Sequence, residues 1–444
     1  MAVLSVDEPS REIPEEIADD ILLRLPSRAA LARAAASSAG FGALVTSPRF
    51  LRRHRARHPD PGVLLGAFTF SLCDYDGGGG AAFHPAEPPF PSAAAARAVA
   101  AAAADFSFGF LPGGDGADEK SRWMVRDQRD GRFLLDRAAA PAGGGDRDTL
   151  FTELAVCDPL SRRYALLPPI PADLAAAVVS PLTVFGGRRR SEPFLLPAAA
   201  AVVDDSDADA EPSFTVIWTA RCPRKVVAFA FSSLDGRWRA LPSPECYVWR
   251  RRRSPFSCPI HAVWNRRHYA HGRFYWVDCL TNRWLVLDVA AMELTVEEIP
   301  SPVGYWEEHV AVMEAPGGKV GVFAHDFYHA DGKAKLCYYT IDHDDGEAPR
   351  WKLERTIVLP WPVDCGQPFC VRGVANECLI LEVSDGGTPA FLSSHRVRDV
   401  ELFKIDIKSF QVERVCRARC AGGTAGEYCW PYFGFPPSLS LPTV

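Results

Sequence analysis

Five times along this chain a hydrophobic run ends in Asp, or in an Asp-containing turn, and a second strand-like run follows, closing on a proline in the first four. The instances are LAVCDPLSRRYALLPPIP (154–171), VVAFAFSSLDGRWRALPSP (226–244), RWLVLDVAAMELTVEEIPSP (283–302), LCYYTIDHDDGEAPRWKLERTIVLP (336–360) and, in weaker form, ELFKIDIKSFQVERVC (401–416). From Leu241 to Ile299 to Leu359 the step is 58 and then 60 residues. Between these hairpins lie further β-patterned runs: SRWMVRD, GRFLL, SFTVIWTA, HAVWN, RFYWVD, HVAVME, KVGVFAH and CLILEV. Each unit therefore holds about four strands, with Asp, Gly and Asn at the turns.

Repeated four-stranded units bury their faces against one another when arranged radially, and that arrangement is a β-propeller. A sixth sheet is completed if the first convincing strand, near Val63 to Phe70, pairs with the last segment, EYCWPYFGF. The ring then has no open edge. An open array of β-sandwiches is the alternative. The expected fold class is thus α+β multidomain: a tail over 1–11, a small helical domain over 12–58, and an all-β propeller of about six blades over 59–440. Low-complexity insertions interrupt it near 74–120 and 198–212. The alanine run at 93–104 reads as a surface helix with no strong apolar stripe to bury, and the acidic, Ala-rich stretch at 198–212 as a flexible insertion.

Composition narrows the class further. Of 444 residues, 48% are hydrophobic and 23% charged, which is globular and not disordered. A net charge of −6 argues against a general nucleic-acid binder. No apolar run is long enough to span a membrane, and the acidic start, MAVLSVDEPSREIPEE, is not a secretory signal. Cytoplasm or nucleus is the expected location. In that reducing setting the 13 cysteines read as small core residues, and none of their spacings is that of a zinc site.

The densest local order lies at residues 12–57. Pro14, Glu15 and Glu16 mark a helix start, with carboxylates placed to favour the helix dipole. Ile17, Ile21, Leu22 and Leu25 recur on one helical face, and Pro26 stops it. A second helix carries Leu31, Ala34 and Ala35 and stops around Gly40. A third turn carries Phe41, Leu44 and Val45, and a fourth run begins at Phe50 and Leu51. Arg49, Arg52, Arg53, Arg55 and Arg57, with His54 and His58, then form a basic, solvated helix end. Helices this few and short leave too little buried area for comfortable independent stability, so an uncovered apolar face suggests a partner.

Ile13-Pro14, Ile21-Leu22-Leu23-Arg24-Leu25-Pro26 and Ser47-Pro48-Arg49-Phe50-Leu51 together resemble the F-box. The family's basic residue followed by Trp in the third helix is absent, and Phe41 stands near that place. The strand-rich body resembles the F-box-associated propellers of plant F-box proteins through Val156 to Pro169 and Asp130 to Leu135. The resemblance implies a substrate-recognition subunit of an SCF-type ubiquitin ligase. Its helices would dock on the Skp adaptor, and through it on cullin, by Ile13, Pro14, Ile17, Ile21, Leu22, Leu25, Pro26 and Leu31. Its propeller would hold a target protein. A protein-binding scaffold with no ligase role is the competing reading.

No catalytic residue and no cofactor is expected. There is no Gly-x-Ser-x-Gly elbow, phosphate loop or His-Glu-x-x-His helix. Ser233-Leu-Asp235-Gly236-Arg-Trp238 is a near-miss to the Asp-box turn of sialidases, well explained as a tight hairpin. His268 and His271 flank another hairpin, and His343-Asp344-Asp345-Gly346 is a turn. A glycan-acting propeller enzyme remains a distant alternative, and it requires carboxylates or arginines clustered in a deep central pocket. Arg188–Arg190 read as a solvated loop, and so do Trp249, Arg250, Arg251, Arg252 and Arg253, although the latter group is the best single guess for contact with an acidic target.

Overall fold

The computed structural model describes residues 14–25, 28–47, 50, 53–54, 57, 63–70, 81–101, 106–113, 123–137, 150–160, 162–182, 191–197, 213–245, 267–277, 283–300, 310–326, 333–342, 350–362, 369–375, 378–384, 397–421 and 428–433. The chain divides into two compact units, with the boundary at Pro61 and Gly62.

In the first unit, α1 spans Glu15–Leu23, α2 Arg28–Ser37 and α3 Ala39–Thr46. Pro14 is the cap of α1, one place before the first helical residue; its carbonyl accepts from the Ile17 and Ala18 amides at 3.0 Å. Gly40 lies inside α3, because the break falls earlier, at the extended Ser38. The three helices close over a small core of Leu22, Leu23, Leu31, Val45 and Phe50. The basic stretch is partly internal. His54 is buried, with its Nε2 at 2.7 Å from the Leu25 carbonyl, and Arg53 pairs with Asp19 of α1 at 2.5 Å.

The second unit consists of six antiparallel sheets. Five hold four strands each, consecutive in sequence. The first is β3 Met124–Arg129, β4 Arg132–Arg137, β5 Glu153–Asp158 and β6 Arg163–Leu166; the second is β7 Ser191–Leu195, β8 Thr215–Arg221, β9 Val226–Ser232 and β10 Arg237–Ala240. The third is β11 Arg267–Ala270, β12 Arg273–Trp276, β13 Arg283–Asp288 and β14 Glu293–Glu298. The fourth is β15 Val310–Glu314, β16 Val320–Asp326, β17 Lys333–Asp342 and β18 Arg350–Pro362. The fifth is β19 Phe369–Ala375, β20 Cys378–Ser384, β21 Val397–Asp406 and β22 Val412–Ala421. The sixth is composite: β23 Tyr428–Phe433 pairs with β1 Leu64–Phe70, which pairs with β2 Ala81–Pro85. The register places Phe68 opposite Trp430 and Phe70 opposite Tyr428. Neighbouring sheets pack through β3 on β7, β11 on β15, β15 on β19 and β19 on β23.

The five repeats of the sequence are the third and fourth strands of the five continuous sheets. Their Asp has a local task. Asp158 Oδ1 accepts the Leu160 amide at 2.9 Å, Asp288 Oδ1 the Ala290 and Ala291 amides at 3.0 Å, and Asp406 Oδ1 the Ser409 amide at 2.7 Å. Four residues after each Asp the backbone turns left-handed, at Arg162, Met292 and Phe410. In the second sheet Ser232 takes the Asp place, Leu234 N donates to its Oγ at 3.3 Å, and Gly236 supplies the left-handed residue. A side-chain acceptor holding such a turn is favourable for Asp and Ser alike. The corresponding turn of the fourth sheet, and with it His343–Gly346, lies outside the described residues.

Three further sequence expectations change. The alanine run forms α4, Ala93–Ala101, and it does carry a buried stripe of Ala93, Ala96 and Val99. It packs on β1 and β2, so small side chains suffice where large neighbours supply the bulk. The region near 74–120 likewise contributes β2 itself and the core residues Phe90, Phe108 and Leu111. His268 and His271 do not flank a turn symmetrically either. His268 is a buried β11 residue, whereas His271, with Gly272, is the turn.

Candidate functional site: an exposed helix face and an axial charge cluster

Helix α1 has two faces. Ala18, Leu22 and Leu23 are buried, whereas Ile17 is 53% and Ile21 49% exposed. At four-residue spacing these two isoleucines stack on the same outer stripe, next to the exposed Pro14. Of the adaptor positions that the F-box resemblance implies, the structure brings Pro14, Ile17 and Ile21 together at the surface. Leu25 is half-buried, and Leu22 and Leu31 are interior residues of the helical core. Ile13 and Pro26 lie outside the described residues, as do Trp249 and Arg250–Arg253.

The second cluster lies where the inner strands of the first three sheets meet. Arg267 of β11 reaches Asp127 of β3 at 2.7 Å and Glu192 of β7 at 2.6 Å. Asp127 Oδ2 also accepts the Leu195 amide at 2.8 Å, and Glu192 Oε2 accepts the Trp276 indole N–H at 3.0 Å. Arg221 stands 3.6 Å from the same Glu192 oxygen. Beside them Arg126 pairs with Asp136 at 3.0 Å and donates to the Ser191 carbonyl at 2.9 Å. The Arg267 guanidinium lies over the Phe194 ring, 4.2 Å from its centroid. One arginine of the third sheet thus joins carboxylates from the first and second, and each carboxylate oxygen of Asp127 and Glu192 has a donor.

Arg129 differs from its neighbours. It shares a strand face with Asp127, two positions away. Its guanidinium spans to the third sheet, 5.3 Å from the Tyr269 centroid and 5.2 Å from that of Phe274. Its Nε is buried without a hydrogen-bond partner. Burial pulls the Arg129 pKa below its ordinary value, against the nearby Asp127 and Asp130, and burial raises that of the Tyr269 phenol.

Sequence reasoning missed this cluster because its three central members, Asp127, Glu192 and Arg267, are 65 to 140 residues apart. The available signal was charge inside strand-like runs, in MVRDQR, SEPFL and RHYA. Among the described residues no group of three or more His, Cys, Asp or Glu is placed to hold a metal ion, and no helix is long and apolar enough to cross a membrane.

The strand order and ring closure decide the architecture of the second unit. It is a six-bladed β-propeller. No protein-family model matches the chain, and no curated protein matches it. Among solved structures the chain is similar to the propeller domain of the Trilobed protease from Pyrococcus furiosus, at 8% identity over 66% of this chain and 70% of that one, with a TM-score of 0.28. It is also similar to an α-L-arabinanase from Penicillium chrysogenum, at 11% identity over 68% and 93%, with a TM-score of 0.31. A putative 6-phosphogluconolactonase from Bacteroides uniformis is similar at 10% identity over 82% and 99%, with a TM-score of 0.30. Likenesses this distant carry no argument about activity.

Proposed function

We propose that this chain is a recruiting subunit: its helical unit docks on the Skp adaptor of an SCF-type ubiquitin ligase, and its propeller holds a target protein. The observation that carries the reading is the pair Ile17 and Ile21, left in water although the helix beneath them has a filled core. Covering the exposed half of each is worth about 0.8–1.5 kcal/mol before association costs are subtracted. The work done is proximity, which raises the effective concentration of a target lysine while other subunits form the bond. A glycan-acting reading needs a carboxylate free to exchange a proton. In the axial cluster Asp127 and Glu192 have their oxygens engaged by Arg267, Leu195 and Trp276.

Co-expression with a Skp-type adaptor tests the proposal. The wild-type chain should co-purify in a stable stoichiometric complex, and Ile17→Asp combined with Ile21→Asp should lose it while the propeller keeps its thermal transition. A folded wild-type chain that retains no adaptor supports the scaffold reading. Undiminished binding by the double variant removes α1 from the interface.

A further inference from the structure

We infer that Arg129 is an anion receptor at one mouth of the propeller axis, and that the oxyanion it takes is a carboxylate or phosphate group presented by the target protein. This rests on the reading of the propeller as the target-holding body, but not on the adaptor interface.

Position comes first. Arg129 is the last residue of β3, and Tyr269 is the last but one of β11. Both therefore lie beside the tight turns Asp130-Gly131 and His271-Gly272, which join first and second strands at the same end of their sheets. The guanidinium reaches from the first sheet to rings of the third, so it lies toward the axis and not on the outer rim.

Partnering comes second. Arg126 has Asp136, and Arg267 has both Asp127 and Glu192. Among the described residues no carboxylate forms an ion pair with Arg129, whose stabilising contacts are the faces of Tyr269 and Phe274. Asp127, the acid on its own strand face, is committed to Arg267 and to the Leu195 amide. A buried cation with no ion-paired carboxylate is costly even with Asp127 and Asp130 close enough to attract it, and arginine cannot shed its proton to escape. The two ring faces, tilted 55° to one another, bear on the guanidinium without using its Nη donors. That geometry suits a carboxylate or phosphate, which accepts two parallel N–H bonds.

The probes are inorganic phosphate and acetate, added to the full-length chain at ionic strength matched with chloride. Phosphate should raise the thermal midpoint by about 2 °C at tenfold excess over its dissociation constant, and Arg129→Met should lose that rise. Arg129→Lys keeps the charge without the fork and should retain only part of it. Should Arg129→Met fail to fold, the Nε–Hε NMR signal of wild-type Arg129, assigned by its absence in Arg129→Lys, should shift on addition of phosphate. A response to acetate as well points to acidic side chains of the target, and a response to phosphate alone to phosphorylated ones. Equal rises in wild type and Arg129→Met, or a stationary Nε–Hε signal, overturn the proposal. Adaptor co-purification is read separately, so either reading can fail while the other stands.

Discussion

Arg267 ties three blades of the propeller together. It sits on the third sheet, yet its two Nη atoms end on acids of the first and second, with the Phe194 ring beneath. Removing one partner of such a group leaves the others buried and uncompensated, which costs about 3–5 kcal/mol. Arg267→Ala should therefore lower the urea midpoint by several kcal/mol equivalent. The loss should persist at high salt, because the group is shielded from the ions that screen surface pairs. A change below 0.5 kcal/mol, on the order of a surface substitution, would show that the three inner strands hold without it. Asp406 offers a residue-scale contrast. The Ser409 amide, ahead of the Ser409 hydroxyl and the Lys408 amide, holds its carboxyl below the ordinary value of 3.8. A depressed folded-state pKa adds stability that is complete above that ordinary value and disappears as pH falls through the folded one. Asp406→Asn keeps the acceptor but not the charge. Its stability deficit relative to wild type, followed by urea denaturation, should be present at pH 6 and shrink steadily below pH 3.8.

Elements carry the ring closure. Strand β23 is the inner member of the composite blade, and Tyr432 is its fully buried anchor, stacked 5.8 Å from Phe133 and edge-on to Phe83 and Phe106 at 5.4 and 5.3 Å. Tyr432→Ala should cost about 3–5 kcal/mol, as large-to-small changes in packed cores do. It should also raise the tendency to self-associate, since a loosened β23 bares the edge of β1. Calorimetry and size-exclusion chromatography would report the two effects; an unchanged transition would mean that the ring is held shut elsewhere. This closure was legible in the sequence because both partners are short runs rich in aromatic and apolar residues with no other mate. The Asp-ended hairpins were legible because the turns at Asp158, Asp288 and Asp406 are built from local hydrogen bonds. Helix α4 was not legible as a packed element, because Ala93 and Ala96 look weakly hydrophobic until Phe90 and the composite blade surround them. The axial cluster was hidden for the opposite reason. Asp127, Glu192 and Arg267 look like solvent-facing residues of three separate strands, and only the radial arrangement turns them toward one another.

At the scale of the whole molecule the two units differ sharply in how much they bury. Among the described residues the propeller holds five large apolar clusters, whereas the helical unit has one with five buried members, Leu22, Leu23, Leu31, Val45 and Phe50. Stability falls as the core shrinks, so a unit this small is marginal by itself. A ligand that binds only its folded form stabilises it by RT ln(1 + [L]/Kd), about 2.7 kcal/mol at a hundredfold excess over Kd. Amide exchange separates that local gain from the rest of the chain, since each region opens with its own free energy. Amides of α1, α2 and α3 should exchange quickly in the free protein and on the order of 100-fold more slowly with adaptor at that excess. Those of β4, β8, β13, β16 and β20 should not change. If the Ile17 and Ile21 face is the contact, the Ile17→Asp, Ile21→Asp variant should show the fast pattern with or without adaptor. Slow exchange in the free helical unit would mean that five side chains suffice, and the exposed isoleucines would then lose the argument that their cover must come from a partner.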